Sequence, residues 1–155
     1  MPLQQCRIKV FADYHQFYLW DRASNPQAPE QWNQEDVKHR IKVGPHVVVI
    51  RTQRNSTVDV AVELRDAQPP MQLAGWDHVA EASLHLPSGQ LEVHESTGGP
   101  VADFSLDPGW YRVRSLQGGL STVSEDGLRG EDRYQIVVWP ARMAGVVILK
   151  NFQRA

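Results

Sequence analysis

The stretch that decides the fold is Val58-Asp59-Val60-Ala61-Val62-Glu63-Leu64-Arg65. Apolar side chains occupy every second position, as in a half-buried β-strand, because successive side chains of a strand point to opposite faces. Just before it, residues 47–50 read VVVI and predict a central strand that is covered on both faces. Asn55-Ser56 lies between the two stretches and predicts a hairpin that pairs them.

Residues 78–95 predict a second hairpin. Ser88-Gly89 suits a two-residue turn, and apolar residues alternate with polar ones on both sides of it. Pairing around this turn matches apolar residues across the two strands, Leu86 with Leu91 and Leu84 with Val93. A register shifted by one residue would place apolar side chains opposite polar ones, so the pattern favours this pairing.

Further strands follow from the same alternation and from the Pro and Gly residues that bound it. They are predicted at 6–12, 16–20, 110–116, 134–139 and 143–149, with turns at Pro108-Gly109 and Pro140. Together with the two hairpins, this gives eight to ten strands at the spacing of a sandwich or barrel. We predict a mainly β protein, an antiparallel β-sandwich formed by a single domain over residues 1–155.

One short helix is predicted near residues 33–41. Asn33 can cap its N-terminus, acidic residues occupy its first turn and basic residues its end, which suits the helix dipole. The charged residues are Glu35, Asp36, Lys38, His39 and Arg40. Val37 and Ile41 share one face, and Gly44-Pro45 stops the helix.

Composition limits the partners and the location. The chain has 16 basic and 18 acidic residues, and its net charge of −2 gives little support for nucleic-acid binding. No run of about 18 apolar residues exists, so no membrane association is expected. The N-terminus has no apolar signal segment, which predicts a cytoplasmic location. Cys6 is the only cysteine and therefore predicts no internal disulfide.

The second hairpin suggests one metal-site hypothesis. Its register places His85 opposite Glu92, and Ser83 opposite His94, on the face away from the core. Two imidazoles and a carboxylate can ligate zinc, so His85, Glu92 and His94 are the candidate ligands. The alternative is an ordinary polar face, since cross-strand polar pairs are common in sheets. We favour that alternative and expect neither metal nor cofactor.

Catalytic motifs are not evident in the sequence. It contains no Gly-x-Ser-x-Gly nucleophile elbow and no Walker loop. Paired carboxylates can serve a glycosidase, but solvated strand faces also carry such residues routinely. The candidates are Asp59, Glu63, Glu81 and Glu92. We therefore expect a protein that is not an enzyme.

Tryptophan and loop residues supply the candidate binding surfaces. The five tryptophans lie beside turns or at strand ends, where such residues usually close a core. The alternative is a small-ligand or carbohydrate site formed by Trp76, Trp110 and Trp139. The charged loop 124–133 is either a solvated connection or a recognition loop on a rigid scaffold.

Several pieces of the chain, in order and spacing, resemble one family. They are residues 32–37 with Arg40-Ile41, the strand 47–50, Gly75-Trp76-Asp77, the turn regions 84–89 and 108–114, and 134–140 with its Trp-Pro end. This arrangement resembles the competence protein J group, small bacterial β proteins similar to the DNA-entry nuclease inhibitor. The resemblance spans residues 10–141 and implies a protein that binds and inhibits a nuclease. It carries over no particular inhibitory residue, because no family motif marks one.

We therefore predict a protein-binding module, an inhibitor or immunity protein whose partner is a nuclease. Acidic groups on such a protein would complement a basic nucleic-acid-binding cleft. The predicted contact residues are Glu125, Asp126, Glu131 and Asp132 in the loop, with Glu63, Glu81 and Glu92 on outward strand faces. The alternative is the small-ligand site at the tryptophans. Exposed edge strands also allow a homodimer.

Overall fold

The structure is a computed structural model that describes residues 4–153. These residues form eleven strands: β1 (Gln4–Phe11), β2 (Gln16–Asp21), β3 (Ile41–Gly44), β4 (Val47–Arg51), β5 (Thr57–Leu64), β6 (His78–Leu86), β7 (Gln90–Glu95), β8 (Pro100–Ser105), β9 (Gly109–Gly118), β10 (Arg133–Pro140) and β11 (Val147–Lys150). One α-helix, α1, spans Gln34–His39. Single 3₁₀ turns occur at Asp13–His15, Arg22–Ser24 and Leu120–Thr122.

The strands form two open sheets. Sheet A has the order β1-β5-β10-β9-β6-β11, and sheet B has the order β3-β4-β2-β7-β8. Neighbouring strands are antiparallel except β5 and β10, which run parallel. The prediction was that all strands would be antiparallel. The pairing of β10 with β5 is the one parallel pair among the described strands.

The core lies between one face of each sheet. Alternate residues of β5, such as Val58, Val60 and Val62, are almost fully buried and belong to the same cluster as Phe17 and Leu19 of β2. Most of the remaining members also come from strands of both sheets. Burying two apolar faces against each other is the arrangement of a β-sandwich. The predicted fold class is confirmed, with eleven strands instead of eight to ten.

Strand β4 is covered on both sides, as its unbroken apolar sequence predicts. Val48 and Ile50 enter the core, whereas Val47 and Val49 pack with Tyr18 on the opposite face. Trp20, Ala28 and Trp32 contribute to the cover on that side. The loop before the helix thus shields the outer face of sheet B at this point.

The predicted helix is confirmed, but it ends earlier than its charge pattern suggested. Asn33 and Asp36 form a reciprocal capping box, with each side chain accepting a hydrogen bond from the other residue's backbone N–H. Arg40 adopts a left-handed conformation (φ 57°) and terminates the helix. Ile41 then begins β3 and enters the core, so it does not share a helix face with Val37.

Both predicted hairpins are wrong, and for the same reason. Ser88-Gly89 joins β6 of sheet A to β7 of sheet B, and Asn55-Ser56 lies between β4 of sheet B and β5 of sheet A. In each case the two strands face each other across the core instead of pairing side by side. Alternation alone cannot separate these arrangements, because apolar residues meet apolar residues in both. Leu84, Leu86, Leu91 and Val93 all enter the shared core.

The crossing turn at Ser88-Gly89 is tied to two distant segments. The buried carboxylate of Asp21 accepts hydrogen bonds from the Ser88 backbone N–H (2.8 Å) and hydroxyl (2.5 Å). Gly89 has a φ of 74°, and an added Cβ would lie 2.0 Å from the carbonyl oxygen of Leu106. Glycine is therefore required here by conformation and by space. These contacts fix the angle at which the chain passes between the sheets.

Within residues 4–153, no helix combines the length and apolar character that a membrane crossing requires.

Candidate functional site

The acidic loop, residues 124–132, is held in shape by its own hydrogen bonds. The Asp126 carboxylate accepts from the Ser124 hydroxyl (2.5 Å) and from the Leu128 backbone N–H (3.0 Å). The Ser124 hydroxyl oxygen in turn accepts from the Arg129 backbone N–H at 3.1 Å. The hydrogen bonds from Ser124 and Leu128 lower the pKa of Asp126, so this residue stays ionised at neutral pH.

A buried ion pair anchors the end of the acidic loop. Asp132 is 4% exposed and accepts hydrogen bonds from Nε and Nη2 of Arg54 (2.9 and 2.5 Å). Its second oxygen accepts from the Tyr134 hydroxyl at 2.5 Å. Burial and this bond to Asp132 raise the pKa of Tyr134. The Asn55 backbone N–H also donates to the Gly127 carbonyl at 2.7 Å, which joins the loop to the 52–56 connection.

The exposed surface of the acidic loop combines negative charge with one apolar side chain. Glu125, Asp126 and Glu131 are exposed together with one basic residue, Arg129, and Leu128 among them is 51% exposed. The structure thus leaves three of the four predicted loop acids available to a partner. Leu128 was not among the predicted contact residues, because a single leucine in a polar loop gives no pattern.

The other predicted contact acids are not exposed. Glu63, Glu81 and Glu92 are each 6–7% exposed, and Asp132 is buried as well. Their expected projection from the surface is wrong, because a second layer of chain or neighbouring side chains covers them. Glu92, for example, accepts a hydrogen bond from Nε1 of Trp20 at 3.0 Å. The surface that remains for the contact hypothesis is formed by Glu125, Asp126 and Glu131.

Glu63 forms a pair on the outer face of sheet A. Its carboxylate accepts from Nε of Arg65 and from the side-chain amide of Gln5, each at 2.7 Å. Burial alone would raise the pKa of Glu63, but the hydrogen bonds from Arg65 and Gln5 outweigh it and lower the pKa. The negative charge of Glu63 is therefore balanced within the protein by Arg65.

Glu81 lies between two arginines on the same face. Its Oε1 is 3.3 Å from Nε of Arg112, and its Oε2 is 2.7 Å from Nε of Arg114. All three side chains are buried, and the Ala144 and Gly145 carbonyls accept further hydrogen bonds from Arg112. The residues 141–146 thus cover an Arg-Glu-Arg triad that carries one net positive charge.

The structure separates the three candidate zinc ligands. His85 lies on sheet A and stacks on Trp110 at 4.4 Å between ring centroids, whereas Glu92 and His94 lie on sheet B. His94 instead contacts Trp20 at 4.6 Å. The pairing that would have joined the three does not form. Among the described residues no group of three or more His, Cys, Asp or Glu side chains is arranged to hold a metal ion.

The three candidate ligand-binding tryptophans have different environments. Trp139 is buried, and the guanidinium of Arg114 lies 5.0 Å from its ring centroid. Trp110 is 41% exposed with one face on His85. Trp76 is half-buried, and Arg133 covers one face of its ring at 4.4 Å. Trp76 borders two cavities, of about 630 and 420 Å³.

The described chain is thus an open two-sheet β-sandwich whose acidic loop is ordered by hydrogen bonds and whose buried Glu63, Glu81 and Asp132 are paired with arginines. No protein-family model matches the sequence, and no curated protein is significantly similar to it.

Solved structures do resemble this fold. ComJ from Bacillus subtilis, an inhibitor of the DNA-degrading activity of NucA, gives a TM-score of 0.67 at 16% identity, covering 91% of this chain and 98% of ComJ. The structure of crocagin biosynthetic gene J gives a TM-score of 0.57 at 18% identity, covering 90% of this chain and all of its own (100%). The fold is therefore ComJ-like, which confirms the predicted resemblance at the level of structure.

Proposed function

We propose that this protein is a non-enzymatic binding module that inhibits a nuclease by direct contact. The observation that carries the proposal is the likeness to ComJ, a nuclease inhibitor, over 91% of the chain. The pairing of the buried carboxylates within the protein supports the proposal further. Glu63, Glu81 and Asp132 are each paired with an arginine, so they serve the scaffold and are not poised for acid–base chemistry.

The acidic loop is the proposed contact surface. A nuclease must present positive charge to the phosphate backbone of its substrate, and exposed carboxylates on an inhibitor complement that charge. Within residues 4–153, no hydrogen bond is donated to the side-chain carboxylates of Glu125 and Glu131. Both carboxylates are therefore available to a partner. Leu128 supplies apolar area in the same patch. Because the loop is already ordered by hydrogen bonds, binding loses little conformational entropy.

Charge reversal of the loop tests this surface. Affinity capture from a lysate of the source organism, followed by mass spectrometry, should recover a nuclease with the wild-type protein. The variant Glu125→Lys/Glu131→Lys should weaken that recovery by about tenfold or more, because reversed charges repel the basic surface they had attracted. Binding of the wild-type protein should also weaken as salt is raised.

The matched control is Glu30→Lys/Asp66→Lys, which makes the same change of charge at two exposed positions outside the loop. This control should recover the nuclease as the wild type does. Equal recovery by both double variants would exclude the loop as the contact surface. Recovery of no nuclease by the wild type would contradict the proposed function itself. Homodimer formation through an edge strand and a cytoplasmic location are further proposals, which gel filtration and cell fractionation can test.

A further inference from the structure

A cavity of about 420 Å³ lies on the outer face of sheet A, away from the acidic loop. Strands β5, β9 and β10 form its floor, and the segment 69–76 contributes Pro70, Gln72 and Trp76 to its wall. Two arginines, Arg65 and Arg114, also line it. Its lining combines charged and amide side chains with the ring of Trp76, so this open groove can contact both a polar group and an apolar group of a small ligand.

Arg114 is a buried charged residue in the lining of this cavity. The residue is only 3% exposed, and its Nε and Nη1 donate to Glu81 (2.7 Å) and to the Pro70 carbonyl (3.2 Å). Its Nη2 is buried and has no hydrogen-bond partner within residues 4–153. A buried donor left without an acceptor costs free energy, so an acceptor that enters the cavity would be stabilised there.

The charge around Arg114 favours an anionic acceptor. Glu81 is shared between Arg112 and Arg114, which leaves one buried positive charge without a counter-ion in the triad. On the other side of the cavity, the charge of Arg65 is already balanced by Glu63 at 2.7 Å. A buried charge is stable only when it is paired and hydrogen-bonded. The Trp139 ring, 5.0 Å from the Arg114 guanidinium, stabilises this cation in part, and a ligand anion would supply the counter-charge.

We propose that this cavity binds a small organic anion whose carboxylate or phosphate group pairs with Arg114 and whose body contacts Trp76. A neighbouring cavity of about 630 Å³ shares Trp76 and Gln135 with the first and provides room for that body. Arg7 and Arg133 line it, and the charge of Lys9 is balanced by Asp59, which lines it as well. The acidic loop lines neither cavity, so the proposal does not depend on nuclease inhibition.

Thermal unfolding and isothermal titration calorimetry of the full chain test this proposal with three sodium salts at constant ionic strength. Benzoate combines a carboxylate with a flat apolar ring, acetate has the carboxylate alone, and phosphate is the alternative oxyanion. We expect one ligand per chain, with benzoate binding at least about tenfold more tightly than acetate if the ligand is a carboxylate. Phosphate binding more tightly than benzoate would assign the site to a phosphate ligand.

Two variants locate the site. Arg114→Gln removes the pairing charge, and Gln72→Glu places a carboxylate of the chain itself at the cavity wall. Each should weaken binding by about tenfold or more, since a charge-assisted hydrogen bond is lost or repelled. Gln72 is exposed, so its variant stays informative even if Arg114→Gln fails to fold.

The matched control is Gln68→Glu, which makes the same substitution as Gln72→Glu four residues earlier in the chain. Gln68 is exposed and does not line the cavity. It should bind the probe anion as the wild type does. Absence of saturable binding by all three anions would overturn the proposal. Binding that persists unchanged in Gln72→Glu would also overturn it.

Discussion

Replacing Glu81 with Gln should destabilise the protein by about 3–5 kcal/mol, the usual cost of breaking a buried ion pair by removing one partner. The variant keeps the size of the side chain but leaves Arg112 and Arg114 buried side by side without an anion. Two buried like charges are costly because the interior screens them poorly. The surrounding carbonyls of residues 70, 144 and 145 can accept hydrogen bonds but cannot neutralise the charge.

Urea unfolding monitored by fluorescence measures this effect. The matched control is Asp59→Asn, which removes the carboxylate of the exposed pair with Lys9 and should cost less than about 1 kcal/mol. The double variant Glu81→Gln/Arg114→Gln should lose less stability than the sum of the two single variants, since it leaves a single buried cation. A loss for Glu81→Gln no larger than that of the control would contradict the structural role of the triad.

Stability should fall as the pH is lowered from about 6.5 to about 4 because of His78, by about 3 kcal/mol in total. Its ring is fully buried and joins three segments. The Phe152 backbone N–H donates to Nδ1 (3.0 Å), so Nε2 carries the proton and donates to the His39 carbonyl (2.8 Å). The neutral ring therefore satisfies both partners.

Protonation of His78 would break this arrangement. Burial, assisted by the charge of Arg40 and by His39 and opposed only by the bond to the His39 carbonyl, lowers the pKa of His78 to about 4. The unfolded chain takes up the proton near pH 6.5, whereas the folded chain does so only near 4. Between these values the unfolded state binds more protons, so stability decreases as the pH falls, and it becomes independent of His78 below about 4.

His78→Gln isolates this contribution. Burial also lowers the pKa of His15, which acts in the same direction, so the comparison of wild type and variant matters more than the wild-type curve alone. The carboxylates with lowered pKa add their own loss at lower pH, Glu63 from about its ordinary value of 4.5 downward and Asp21 from about 3.8 downward. Urea unfolding between pH 7 and 4.5 should show a flatter dependence for the variant. An equal dependence of stability on pH in the wild type and in His78→Gln would contradict the assignment of this dependence to His78.

The sequence predicted the strands much better than their partners. Alternation in residues 58–65 specifies a face, and that face does enter the core. It does not specify whether the next strand pairs with it or lies across the core from it, since both arrangements bury the same side chains. The turn at Ser88-Gly89 crosses between the sheets because Asp21 and Leu106, distant in sequence, hold it there. No local pattern contains that information.

The loop acids of the candidate site could be predicted from the sequence, but the burial of the strand acids could not. Glu125, Asp126 and Glu131 lie in a loop, and loops are usually exposed. Glu81 alternates with apolar residues as an exposed strand residue would, but the covering segment at 141–146 and the arginines of β9 bury it. One feature of the sequence indicated that Glu81 is paired. Arg112 and Arg114 are two residues apart on a strand, so their like charges lie on one face and are stabilised by an anion between them.

Inhibition of DNA degradation tests the central claim most directly. The nuclease recovered with the wild-type protein is freed of it, and its cleavage of linear DNA is followed as purified protein is added back. Cleavage should decline in proportion to the protein added and stop near equimolar amounts, with the Glu125→Lys/Glu131→Lys variant needing a large excess. Undiminished cleavage in the presence of excess wild-type protein would contradict the account.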